Sequence, residues 1–363
     1  MKPFHVALTI AGVGALVSAP LVVPNAIQSV RLLAQPDNVA EIADYQLGMV
    51  PPDSFRSNIE LALSDGDPEL AASLVEVATD LKVQLPSDLI QQVREAQGFD
   101  AGRMVGEVWD GFLKGDASSG ASLGGSLAAD FTGFGDARDL VLEGSNYLSN
   151  GTYDPVILAF SAVGLTLTVA TVVTAGGAAP ARAGVTVLKA AKKAGNLPAP
   201  LIRELSEVAV KAIDGPALDQ AIAAAKRLDI PGAGAAAGRI LNPAAAQKIT
   251  QLADDVAGIA GRSGYRAVNQ TLSVAGSTAD IAKLNRLASA TGTKFRGILK
   301  ILGGSGAAFL TIANITMILG GWAVSGLIWL LAAGFSALAG TYRAIVWVQK
   351  RRRNTAGDSS PAA

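Results

Sequence analysis

Apolar and polar positions alternate along this chain on two scales. On the longer scale, charge-free runs stand apart from segments of mixed character. The first, His5–Val23, is 19 residues long. The second, Val156 to about Ala175, follows Asp154-Pro155, a helix-start pair with proline in the first turn. The third, Ile301–Tyr342, spans 42 residues without a charge. About 20 helical residues cross a hydrocarbon core of about 30 Å. The third run is twice that length, so a reversal is expected at Gly320-Gly321, giving spans at about Ile301–Leu319 and Trp322–Tyr342. Trp322 at one end and Tyr342 with Trp347 at the other fit the headgroup zones. Cleavage of the first run after Val17-Ser18-Ala19 would place Pro20 just past the scissile bond, so a retained signal anchor is expected.

On the shorter scale, the spacings predict amphipathic helices. Asn38 is a candidate cap for a helix reaching Leu47, and Asp53 or Ser54 for the next, with Leu61 and Leu63 in its apolar stripe. Leu70, Leu74, Val77 and Leu81 recur at steps of four, three and four. Ile249, Leu252, Val256 and Ile259 mark one face of a helix begun by Asn242-Pro243. Ile281, Leu284 and Leu287 do so after Ser277 or Thr278. Gly232 through Gly238 contains only Gly and Ala and reads as a linker or turn.

Composition fits a membrane chain. Charged residues are 17% and mean hydropathy is +0.36. The chain has no cysteine and one histidine, which excludes disulfides, a catalytic cysteine and a Cys/His metal site, and all but excludes a Ser-His-Asp triad. Net charge is zero but segregated. Residues 25–154 hold 21 acids and 7 bases; residues 181–297 hold 16 bases and 8 acids. Lysines and arginines gather beside spans on the cytoplasmic side. Arg182, Lys189, Lys192 and Lys193 follow the second run, Lys294, Arg296 and Lys300 border the third, and Lys350, Arg351, Arg352 and Arg353 end it.

These patterns predict an all-α integral membrane protein with about four transmembrane helices and soluble or peripheral helical regions. Its divisions are a signal anchor at 1–24, an acidic exterior helical domain at 25–154, a span at 155–177, a basic cytoplasmic region at 178–297, a transmembrane hairpin at 298–347 and a basic, then disordered, tail at 348–363. Both termini lie in the cytoplasm, and the expected location is a multi-pass position in a cell inner membrane. The helix bearing Lys189, Lys192 and Lys193 would be drawn to anionic lipid.

Candidate chemistry is sparse. Asp136 and Asp139, at i and i+3 near Arg138, share a helical face; with Asp130 they are the candidate functional acids, for hydrolysis or cation binding. Asp65, Asp67 and Glu69 have the spacing of part of a calcium loop, but the sixth position is Leu70 rather than glycine. No catalytic residue, metal ligand or cofactor is assigned. Between residues 181 and 294 the one aromatic is Tyr265, which argues against a nucleic-acid partner. Gly321 with Ser325, and Ala332 with Ser336 and Gly340, are spaced four apart for helix packing.

The run Ala129-Asp130-Phe131-Thr132-Gly133-Phe134-Gly135-Asp136-Ala137-Arg138-Asp139-Leu140 resembles the pre-toxin regions of bacterial polymorphic toxins, over about residues 129–195. Ser277–Ala288 with Gly292 and Lys294 is similar to a helical segment of membrane-associated bacterial proteins. Thr132-Gly133 stands where that family has an aromatic-proline turn, and no recognisable nuclease or deaminase follows. The resemblance implies a membrane-inserting or accessory module. The expected function is a non-enzymatic anchor or scaffold for an envelope complex. A membrane-inserting effector and a small channel or transporter component are alternatives. The expected partners are the lipid bilayer, envelope proteins and further copies of the chain.

Overall fold

In a computed structural model, which describes residues 2–100, 133–311, 313 and 315–357, the fold is all-α. Three helices are long and apolar enough to cross a membrane. The described residues fall into two compact units, residues 1–38 with 311–363, and residues 39–310.

The first unit consists of two long helices, α1 (Lys2–Ala34) and α15 (Thr316–Gly357), packed along each other. Trp329 Nε1 donates to the carbonyl of Ala15 at 2.9 Å. Gly326 meets Ala26 so closely that an added Cβ would lie 2.4 Å from that methyl. Position falls along α1 as it rises along α15, so the pair is antiparallel. The expected reversal at Gly320-Gly321 does not occur. Both glycines lie inside α15 with open space around them. Two glycines cost a helix about 1–2 kcal/mol, little against the remainder of 42 residues. Ile301 and Leu302 belong instead to a short helix of the second unit, and Gly303–Leu310 forms a 3₁₀ segment.

The second unit contains α2 (Val39–Leu47), α3 (Pro52–Ser64), α4 (Pro68–Asp80), α5 (Ser87–Asp100), α6 (Phe134–Leu148), α7 (Pro155–Val173), α8 (Ala179–Lys193), α9 (Ala199–Val210), α10 (Gly215–Lys226), α11 (Ile230–Ala237), α12 (Pro243–Val274), α13 (Thr278–Thr291) and α14 (Phe295–Leu302). Side-chain caps start many of them. Asp154 accepts from the backbone N–H groups of Val156 and Ile157, Asn242 from Ala245, and Ser277 from Asp280. The expected faces of α12 and α13 are buried, as are Leu70, Leu74 and Val77 of α4, while Leu81 follows the end of that helix and is half-buried. In α3 the covered residues are Phe55, Ile59 and Ala62, while Leu61 is exposed; the helix begins at Pro52, before the expected caps.

Helix α7 sits at the centre, touched by α6, α8, α9, α11 and α12. Of its apolar window 61% is buried, against 11% for each of the other two long helices. A bilayer and a protein core are both apolar solvents, so a charge-free helix suits either. Here neighbouring helices cover most of that window.

The Gly232–Gly238 run is helical rather than a linker: it forms most of α11, with Ala233, Ala236 and Ala237 buried. A Cβ on Gly234 would lie 2.4 Å from Val169 Cγ2 and 2.7 Å from the Leu165 carbonyl oxygen, so the small residues permit helix-to-helix contact with α7.

The acidic and basic halves interlock. Arg296 holds Asp67 with both guanidinium arms, at 2.5 and 3.0 Å, and Arg266 reaches the same carboxylate at 3.2 Å. Lys294 pairs with Asp80 at 2.5 Å. Ser73 donates to the Thr293 carbonyl and accepts from Gly297 N–H. Residues 39–100 and 133–310 pack into one unit.

Candidate functional site: a buried carboxylate pair

Helix α6 brings Asp136 and Asp139 onto one face, as their spacing predicts. Asp130 lies outside the described residues. The turn into α6 uses Gly133, at φ +88°, where a side chain would also press on Thr168 at 3.2 Å. Opposite this face runs α8, whose Arg182, Lys189 and Lys193 follow at intervals of seven and four and so share a stripe.

The pair meets that stripe. Lys189 is fully buried, and its Nζ lies 2.7 Å from Asp136 Oδ1 and 2.8 Å from Asp139 Oδ2. Lys193 reaches Asp139 Oδ2 at 2.5 Å, and Arg138 donates to Asp139 Oδ1 at 2.8 Å. Arg182, also buried, lies 3.9 Å from Asp136 and donates to the Gly164 carbonyl at 3.0 Å. Gly164 creates the room: a Cβ there would sit 2.4 Å from Asp136 Oδ2. The carboxylate thus rests on the backbone of the central helix α7. Next to this group, Lys192 pairs with Asp154, the cap of α7.

Burial pushes the Asp139 carboxyl upward, but Lys189, then Lys193 and Arg138, outweigh it and hold the group down at about 2. A carboxylate with so little proton affinity makes a poor general base or acid near neutral pH. The arrangement has a structural part in the fold. It joins α6 to α8 across α7 through charges that could not be buried singly.

The partners of the acids were not foreseen. Arg182, Lys189, Lys192 and Lys193 had been assigned to a cytoplasmic membrane flank, yet each has a carboxylate partner within the unit. The spacing of 182, 189 and 193 opposite 136 and 139 is the sequence signal that could have revealed the pairing. Lys294 and Arg296, expected to border the third run, likewise pair with Asp80 and Asp67.

Of the calcium-like spacing, Asp67 caps α4 and is held below its ordinary value, burial being outweighed by Arg296. Among the described residues no group of three His, Asp or Glu side chains is placed to hold a metal. A cleft of about 60 Å³ between α7, α11 and α12 is lined by Val163, Thr166, Leu167, Ala237, Gly238, Leu241, Ala246 and Thr250, without an ionisable group.

The packing residues expected on α15 divide. Ala332 and Ser336 lie on its half-covered face, whereas Gly321, Ser325 and Gly340 are exposed. Gly326 and Trp329, not expected, make the close contacts with α1.

No protein-family model, curated protein or solved structure matches the chain.

Proposed function

We propose that this protein is a non-enzymatic membrane-anchored scaffold, in which α1 and α15 cross a bilayer and hold the unit of residues 39–310 on one side. The observation that carries the reading is the outer surface of the two-helix unit. Leu16, Val17 and Leu21 on α1, and Leu327, Ile328, Leu330, Leu331, Phe335 and Leu338 on α15, are each 58–76% exposed. Water-exposed apolar surface of this extent marks lipid or partner contact. Antiparallel spans put both chain termini on the same side. Lys350, Arg351, Arg352 and Arg353 then assign that side to the cytoplasm of an inner membrane, and the 39–310 unit to the opposite face, where envelope partners would dock.

The absence of cysteine makes the test direct. In intact cells a membrane-impermeant maleimide should label Lys82→Cys but label Ser360→Cys only after permeabilisation, with the protein resisting carbonate extraction. Release by carbonate, or labelling of both positions in intact cells, would refute the reading.

A second reading, a membrane-inserting effector, is favoured by α7. This charge-free helix has the highest mean hydropathy of the three long apolar helices, yet lies inside the unit, with Val172 and Val173 about 80% exposed at its end. It is also where the pre-toxin resemblance falls. Induced expression of the full chain would then depolarise cells, and disulfide locking of α7 to α8 would suppress this; an unchanged membrane potential at good membrane expression would sink it.

A further inference from the structure

The C-terminal part of α15 outruns any bilayer. Forty-two helical residues extend about 63 Å, about twice a hydrocarbon core. The charge-free part ends at Tyr342, which is 70% exposed. Beyond it the helix continues with a distinct pattern. Arg343, Trp347, Lys350 and Arg351 fall at i, i+4, i+7 and i+8, the recurrence of a single helical face. The guanidinium of Arg351 stands over the Trp347 ring, 5.2 Å from its centroid. Trp347, Lys350 and Arg351 are all exposed. The flanking positions Ile345, Val346 and Val348 are apolar and 43–57% exposed. This stretch is thus built for the boundary rather than for water: apolar on most faces, aromatic and cationic on one. No acidic residue occurs between Ile281 and Gly357.

From this geometry, and resting on the reading of α15 as a membrane span, we infer that the Arg343–Trp347–Lys350–Arg351 face is a binding site for the headgroup of an anionic phospholipid. The ring sits at headgroup depth, its face occupied by the guanidinium, and Lys350 lies one residue away. A lipid phosphate entering beside Trp347 would accept from Lys350 and lie in the field of the Arg351 guanidinium. Arg343, about 10 Å nearer the hydrocarbon, lies within reach of the same lipid's glycerol region. The site therefore predicts selectivity among lipids, not merely attachment to them.

The test uses the full chain reconstituted in phosphatidylcholine vesicles. The motionally restricted fraction of spin-labelled phosphatidylglycerol is compared with that of spin-labelled phosphatidylcholine. Each cation at a membrane surface favours an anionic lipid by about fivefold, so the wild type should select phosphatidylglycerol by at least about that factor. The double variant Lys350→Gln, Arg351→Gln, which keeps Arg352 and Arg353 as topology signals, should lose most of this selectivity, as should the wild type in high salt. In a variant retaining Trp347 as the single tryptophan, brominated phosphatidylglycerol should quench fluorescence more than brominated phosphatidylcholine. Equal restriction and equal quenching by both lipids would overturn the headgroup site while leaving α15 as a span. Quenching by neither would overturn the span and the site together. Selectivity unchanged in the double variant would also overturn the site, placing the preference elsewhere on the chain.

Discussion

Replacing Lys189 by Met tests the ion group most severely. The substitution keeps the length and apolar stem of the side chain but deletes its charge. Asp136 and Asp139, each under 5% exposed, would then face one another across the space of the lost ammonium. Lys193 and Arg138 still neutralise Asp139, but the partner left to Asp136 among the contacts described above is Arg182 at 3.9 Å. Two contacts of 2.7 and 2.8 Å are lost. Each corresponds to several kcal/mol of attraction at an effective dielectric near 20, most of it offset by desolvation. Breaking a buried pair by removing one partner costs about 3–5 kcal/mol. For a unit of this size that lowers the melting temperature by about 5–9 °C. The assay is thermal unfolding by circular dichroism in detergent, where α1 and α15 stay helical and the transition reports residues 39–310. The triple variant Asp136→Asn, Asp139→Asn, Lys189→Met should recover part of the loss, because no unpaired charge remains buried. A single variant melting within about 2 °C of wild type, or a triple variant no better than the single, would refute the assignment of Lys189 as the shared counter-ion.

Other outcomes follow from the same packing. Gly164→Ala places a methyl against the Asp136 carboxylate and should cost about 1–3 kcal/mol by overpacking, read by the same melt. Gly320→Ala and Gly321→Ala should leave the protein as stable as wild type or slightly more so, since both sit in open helix; marked destabilisation would signal a turn there after all. The folded pKa of Asp139 is depressed from 3.8 to about 2, so its stabilisation is complete above about pH 4 and lost as pH falls through 2. Acid titration of the melt should show about 2 kcal/mol lost over that window, and Asp139→Asn should flatten it. Arg296→Ala should loosen α14 from α4 and α12, seen as faster hydrogen exchange in Phe295–Leu302, by removing the two-armed contact with Asp67.

Local order was legible because local chemistry sets it. Asp154-Pro155, Asn242-Pro243 and Ser277 each announce a helix start within four residues, and the side-chain caps form as their types require. The spacing of Leu70, Leu74 and Val77 likewise records a buried face. What the sequence hides is which apolar medium surrounds a helix. Phe160, Leu158 and Leu165 of α7 are fully buried by protein, yet nothing in their identity separates that fate from burial in lipid. Glycine is equally ambiguous. Gly234 is small so that α7 and α11 can touch, Gly164 so that a carboxylate can rest on α7, and Gly320 has no neighbour at all. One residue type serves contact, cradle and empty space, and only the partner helix tells which.

The charge segregation carries the sharpest lesson. Read along the chain, −14 followed by +8 looks like two sides of a membrane. In three dimensions much of it is complementarity. Asp67, Asp80, Asp136, Asp139 and Asp154 from the acidic half meet Arg266, Arg296, Lys294, Lys189, Lys193 and Lys192 from the basic half. A lysine neutralised by a carboxylate inside the protein gives little instruction to a membrane, so these residues must be subtracted before basic flanks are counted. Subtracting them weakens the charge argument for a crossing at α7, leaving its hydropathy, and for a cytoplasmic border before α14. The tetrabasic run at the end of α15 keeps its weight, because exposed Lys350 and Arg351 face outward from a helix whose other surface is apolar. The two crossings proposed above and the four expected from the sequence both return the termini to the same side, so the two readings differ only in where residues 39–310 would lie.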